Sequence, residues 1–321
     1  MKAWLAACAM TAIAALLCSC DGQVSMLPKS GGRPYEVLVV ADDKADAYLI
    51  DSILSQDAAG LPQAEPMFDV SVTDSRHFNG AAKMARNIVV VTVNPRVYTA
   101  ARVRYEKNVW ARPQMVAYVN TPSSEVLAKA LPLTGRQLAD LFTRAEMNVE
   151  IARLAKSGNA EASATVDSMF GCAMRLPADM KYSKKGKGFV WFSDNDPSSM
   201  QNVCVYSYPG IALDPGKAMA ARDSVMKRNI PGERPGMYMQ TVKGSAQFTK
   251  TTEKGRTLMI SRGLWQMHGD AMGGPFVAHS TVDSVRHRII VAEAFVYAPG
   301  TKKRNLVRQA EAALYTLEVK N

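Results

Sequence analysis

The chain is poor in residues that carry chemistry, and their spacing does not help it. Its 321 residues hold only four histidines, His77, His268, His279 and His287. None stands four residues from another, and neither H-E-x-x-H nor C-x-x-C occurs, so a zinc site would need scattered ligands. There is no G-x-S-x-G, no Walker loop and no G-x-G-x-x-G after a strand, which removes the usual signatures of hydrolases, P-loop enzymes and dinucleotide binders. Near matches fail in detail. Asp194, Asp196 and Ser198 begin like a calcium loop, but Pro197 interrupts it and Val205 stands where a bidentate Glu belongs. Ser224-x-x-Lys227, Ser193-Asp194-Asn195 and Lys156-Ser157-Gly158 imitate the motifs of penicillin-binding enzymes, in reversed chain order. No metal and no cofactor is expected.

Long apolar runs are missing beyond the first twenty residues. There, Lys2 precedes an apolar stretch over residues 3–17, broken only by Thr11 and too short for a comfortable membrane span. It ends in Leu17-Cys18-Ser19-Cys20, the arrangement of a lipobox, with small residues beside the bond to be cut. The expectation is a signal peptide over residues 1–19, a lipid-bearing Cys20 and a tether through residue 33. Acyl chains such as palmitate bury at roughly 0.8 kcal/mol per methylene, and two or more of them make a stable anchor. The expected address is the cell envelope, at the outer membrane, with the membrane itself as one partner.

Cysteine is scarce too: five in all, of which Cys172 and Cys204 remain beyond the signal and lipid positions. They lie in strands expected to be neighbours, so they either pair or stay as two buried thiols, and the second reading is preferred. Acidic residues are outnumbered, 29 against 39 lysines and arginines, for a formal net charge of +10. The excess is spread over Lys181, Lys184, Lys185 and Lys187, over Arg286 and Arg288, and over Lys302, Lys303 and Arg304. Such a face suits anionic headgroups or an acidic glycan, although solvated loops account for it as well. No nucleic-acid-binding module is recognisable.

What is present is globular: 47% hydrophobic and 21% charged residues. Strands are expected over residues 35–41, 68–72, 88–93 and 115–119. A helix opens at Asp42-Asp43 and runs to about Ser55, and others cover about 123–130 and 134–156, the last started by a Thr134/Gln137 capping box. This is an α/β domain over residues 34–160. Over 161–321 strands follow in close succession, at about 168–176, 188–193, 202–208, 237–243, 255–262, 275–283 and 288–298. Helices are expected at about 215–228 and 301–317. That is an α+β layout, an antiparallel sheet with helices packed on one face.

Two places merit attention as sites. Asp42 and Asp43 stand at the C-terminal end of the first strand, where ligands of open α/β sheets bind, but an acid there is also an ordinary helix cap. The densest feature is the segment Arg262-Gly263-Leu264-Trp265-Gln266-Met267-His268-Gly269-Asp270-Ala271-Met272-Gly273-Gly274-Pro275-Phe276. Arg262, Trp265, His268 and Asp270 are candidate binding residues there, beside Gly273 and Gly274. A turn between strands, with Trp265 and Phe276 in the core, is the competing account.

With this segment, the strings Leu61-Pro62-Gln63-Ala64-Glu65-Pro66-Met67-Phe68, Arg86-Asn87-Ile88 and Pro113-Gln114 are similar to an uncharacterised family of Bacteroidetes lipoproteins. That family is catalogued as domain of unknown function forty-eight thirty-seven, and the resemblance extends over almost the whole mature chain. It implies a Gram-negative envelope and a lipid anchor, and it carries no activity. The expected function is therefore binding or assembly with an envelope protein or glycan. The alternative is an envelope hydrolase with a site around Arg262, His268 and Asp270. Replacing Cys20→Ala is expected to move the protein from the detergent phase to the aqueous phase; unchanged partitioning would refute the anchor.

Overall fold

The computed structural model describes residues 27–253 and 255–320. The signal, the cleavage site and Cys20 lie outside the described residues.

The first half is built on a five-stranded sheet of order β2-β1-β3-β5-β4. Its strands are β1 (Glu36–Val40), β2 (Asp69–Thr73), β3 (Asn87–Val93), β4 (Arg102–Lys107) and β5 (Met115–Thr121). All pair in parallel except β4, which runs antiparallel along the edge of β5. Helices α1 (Lys44–Leu54) and α2 (Ser124–Ser157) lie on one face. Ile50, Leu54, Leu127, Leu138 and Phe142 meet Val37, Val39, Val89 and Val119 there. The opposite face carries a smaller cluster around Ile88 and Val116, covered by loop residues Phe78 and Trp110.

Two expectations change here. The helices expected at 123–130 and 134–156 are one, since α2 runs through Pro132. Its cap is Ser123, whose Oγ accepts from Val126 N at 3.4 Å, and Thr134 is buried mid-helix. Proline normally breaks a helix by losing a bond and clashing with the preceding turn. In α2, packing holds both flanks on one sheet face: Leu127 lies before Pro132, and Leu138 and Phe142 lie after it.

The second half is an eight-stranded antiparallel sheet of order β10-β12-β13-β14-β9-β8-β7, with β11 also paired to β12. It begins with α3 (Ala160–Phe170) and the short β6 (Cys172–Ala173). Then come β7 (Tyr182–Gly186), β8 (Phe189–Ser193), β9 (Met200–Pro209), α4 (Pro215–Asn229), β10 (Tyr238–Thr241) and β11 (Gln247–Glu253). The chain closes with β12 (Arg256–His268), β13 (Gly273–Asp283), β14 (Arg288–Tyr297), α5 (Arg304–Leu314) and β15 (Glu318–Val319). Alternate residues of the central strands feed two cores. Ile290, Ala292, Ala294 and Val296 point toward α5, α3 and the end of α2. Ile289, Val291 and Phe295 point toward α4.

Of the strand expected over 168–176 only Cys172–Ala173 is strand, and residues 168–170 are the last turn of α3. Its Ala162, Val166 and Phe170 are buried at helical spacing, Asn159 caps it, and Gly171 ends it at φ 62°. Cys172 therefore sits in β6, which pairs with β15 rather than with β9. Cys172 and Cys204 are both free and buried. They belong to cores on opposite faces of the sheet, so the disulfide alternative is not formed.

Much of the segment 262–276, weighed as a turn, is strand: β12 and β13 pair from Leu258↔Thr281 to Gln266↔Gly273. Only Gly269 to Met272 turns. Gly274 permits a close approach, because a Cβ there would lie 2.0 Å from the Val296 carbonyl oxygen. Gly274→Ala is expected to cost about 2 kcal/mol of folding stability, as overpacking of a well-filled interior does. Urea unfolding measures it, and a midpoint equal to that of the parent would contradict the packing argument.

Candidate functional site

The sequence-derived candidates do not converge. Trp265 is buried on the α4 side, donating from Nε1 to the Val296 carbonyl at 3.2 Å with its ring against Phe295. Arg262 points to the other face, where its guanidinium meets the Glu311 carboxylate on α5 at 3.0 Å. His268, six residues and roughly 20 Å further along the strand, is exposed and stacks on Tyr238 with ring centroids 4.9 Å apart. Asp270 is exposed in the turn and accepts from Ala271 N. Gly273 and Gly274 serve strand packing: a Cβ on Gly273 would stand 2.8 Å from the Trp265 carbonyl. Asp43 is the N-cap of α1, accepting from Ala45 N at 2.6 Å, and Asp42 accepts from Ser75 N at 2.8 Å. Both acids are thus used in backbone capping.

Sequence reasoning missed two buried charge clusters. On the α5 side, Glu311 binds Arg262 and also lies 3.2 Å from His279 Nε2, with Tyr315 edge-on to the imidazole. Burial raises the Glu311 carboxyl, but Arg262 and the His279 contact overcome that and hold it at about 2. Burial lowers the His279 imidazole, and Glu311 offsets this only in part. On the α4 side, the fully buried Arg222 donates from Nη2 to Glu293 at 2.7 Å and from Nη1 to Thr241 at 2.8 Å. Its guanidinium also lies 3.9 Å from the Phe276 ring centroid. Each cluster neutralises itself and offers no open position to a substrate. Among the described residues, no group of three or more His, Cys, Asp or Glu stands close enough to hold a metal ion.

The surface is different along α2. A groove of about 1050 Å³ runs between this helix and the edge strand β4. Strand alternation places Val103, Tyr105 and Lys107 on the groove side. Helical spacing brings Gln137, Leu141, Arg144, Ala145, Val149, Ala152 and Lys156 to face them. Arg112 and Pro113 close one end, and Arg112 is fixed from behind by the amino-terminal segment: its N donates to the Pro28 carbonyl at 2.8 Å and its carbonyl accepts from Ser30 N at 3.1 Å. The groove is open because β4 reaches past the helices that cover the sheet centre.

Its charges are unbalanced. Glu146 is already held by Arg86 and Asn87, and Arg153 is paired with Glu150. Lys107, Arg112, Arg144 and Lys156 have no ion-pair partner among the described residues, and all four are exposed. Against them stands Asp140. The basic residues singled out from the sequence are elsewhere, several of them engaged within the chain. Arg288 reaches Asp283 and the Phe170 carbonyl, and Arg304 reaches Asp69 and the Pro66 carbonyl. A second cavity of about 880 Å³ lies across α2, between it, α3 and β11.

Two family models divide the chain. Residues 159–316 match the one described as "Domain of unknown function (DUF4837)". Residues 30–155 match another, "Domain of unknown function (DUF8532)". The resemblance read from the sequence therefore holds for the second half only. The strings at Leu61–Phe68, Arg86–Ile88 and Pro113-Gln114 fall in the stretch that the other family model covers. The chain matches no curated protein. A solved structure of a mutant of the protein Mog1 is similar over 46% of this chain and 90% of its own, at 9% identity and a TM-score of 0.28. That likeness is too weak to carry an argument.

Acid is expected to weaken the fold in two steps. Below the usual 6.5, unfolded His279 takes a proton that the buried site resists, so stability falls with pH. From 4.5 down to about 2, the stability contributed by ionised Glu311 is lost in turn. Glu311→Gln is expected to cost about 3 kcal/mol at neutral pH, as breaking a buried ion pair does. The gap to the parent should close between pH 4.5 and 2. Urea unfolding across that range checks it; a gap independent of pH would contradict the assignment.

Proposed function

We propose that the protein is a lipid-anchored binding protein of the cell envelope that holds an acidic glycan in the groove between β4 and α2. The observation that carries this reading is the set of four cations, Lys107, Arg112, Arg144 and Lys156, placed without partners over an apolar floor at an open sheet edge. Guanidinium and ammonium groups recognise carboxylate or phosphate. Val103, Leu141 and Val149, with the exposed ring of Tyr105, offer apolar surface to the carbon faces of sugar rings. Anchoring through Cys20, at the outer membrane of a Bacteroidetes-type envelope, belongs to the same proposal and rests on the signal-like residues 1–20.

Binding is favoured over hydrolysis by the separation of Arg262, His268 and Asp270. Arg262 is tied to Glu311, and His268 and Asp270 stand at a distant turn. The protein is expected to be retained on immobilised hyaluronan and not on neutral dextran, with elution as salt rises. Lys107→Glu combined with Arg144→Glu is expected to lower affinity for hyaluronan at least about tenfold while circular dichroism stays unchanged. Retention of the charge-reversed protein at the parent's salt concentration would refute the groove as the site.

A further inference from the structure

The cavity on the far side of α2 shares residues with the cationic groove. Asp140, Arg144 and Asn148 line both. They stand at i, i+4 and i+8 of the helix and are exposed, so they form a low ridge with one cavity on each flank. The two cavities have the same origin: each lies where an edge strand, β4 in one sheet and β11 in the other, reaches past the helices covering its sheet. Their chemistry differs. The second cavity is lined by hydroxyls, among them Thr249 and Thr251, and by charges of both signs, with Arg175 and the Asp167-paired Lys320 set against Glu253 and Asp140. Such a surface accepts and donates hydrogen bonds to neutral hydroxyl groups and does not attract dense negative charge.

Resting on the groove reading above, we infer that the ligand is an acidic oligosaccharide long enough to cross α2, one that carries neutral sugars between or beside its charged ones. Charged groups meet the four cations, Arg144 sits at the crossing, and hydroxyl-rich portions occupy the Thr249 and Thr251 side. The cationic groove flank from Gln137 to Lys156 is by itself about 30 Å long at the helical rise. A ligand confined to one sugar unit would use a small part of this surface.

The test is calorimetry on the whole folded chain with hyaluronan oligomers of increasing length, whose acidic and neutral sugars alternate. Affinity is expected to rise at least about tenfold from the disaccharide to the decasaccharide, because the second contact becomes intramolecular. Galacturonate oligomers, charged on every sugar, are expected to gain less from the same increase. Thr251→Trp, and separately Thr249→Trp, fill the far cavity at exposed positions. Both are expected to bring decasaccharide affinity down toward the disaccharide value and to leave disaccharide binding unchanged. If the decasaccharide binds no tighter than the disaccharide, or if both tryptophan variants bind it like the parent, the crossing is wrong while the groove reading stands. If no oligomer binds and charge reversal in the groove changes nothing, both fail.

Discussion

Helix α5 begins without a capping side chain of its own. Lys303 occupies the cap position and contributes no side-chain hydrogen bond there. The free donors at the start of the helix are met from the other half of the molecule. Glu65 accepts from Lys303 N at 2.7 Å and from Arg304 N at 3.0 Å. A buried carboxylate on a helix N-terminus satisfies backbone groups and complements the helix dipole together. Arg304 returns the contact to Asp69 and the Pro66 carbonyl, and Arg308 reaches the Met67 carbonyl and covers the Tyr35 ring. This junction fixes the second sheet against the first. With the sheets fixed, α2 is left between two strand edges, and the open cavities on its flanks follow from that placement.

The buried ion pairs serve the same rigid frame. Arg222–Glu293 and Arg262–Glu311–His279 lie on opposite faces of the large sheet, each between a strand and the helix packed on it. Buried pairs of this kind add little net stability over apolar packing, but removing one member is expensive. They fix which helix face meets which strand. Their charges are spent internally, whereas the cations along the α2 groove are uncompensated.

What could be read from the sequence was the interior. Ile88 to Val93 is a continuous β-branched run and is central strand β3, and Asp43 before Ala47, Ile50 and Leu54 is a capped amphipathic helix. The elements missed, β4, β7 and β11, are edge strands with few apolar residues: Gln247–Glu253 has only Phe248, and in β4 the alternation is confined to Val103 and Tyr105 among charged neighbours. Helix α3 was hidden by Ser163, Thr165 and Ser168, which weaken a helical signal, although Ala162, Val166 and Phe170 keep the spacing. The groove was illegible for a related reason. Lys107, Arg112, Arg144 and Lys156 are scattered over fifty positions in strand, loop and helix, and only the pairing of β4 with β5 brings them to one surface. The segment 262–276 was conspicuous because it is dense in polar and aromatic residues, but strand alternation sends Arg262 and Trp265 to opposite faces.

The hydrogen bonds between Arg112 and residues 28–30 would make the proposed anchor a short leash. A lipid on Cys20 would leave seven residues before Pro28, a fully extended reach of no more than about 30 Å. The rim of the groove would then ride within one molecular width of the bilayer, and any strand it grips would be held parallel to the headgroups or drawn down against them.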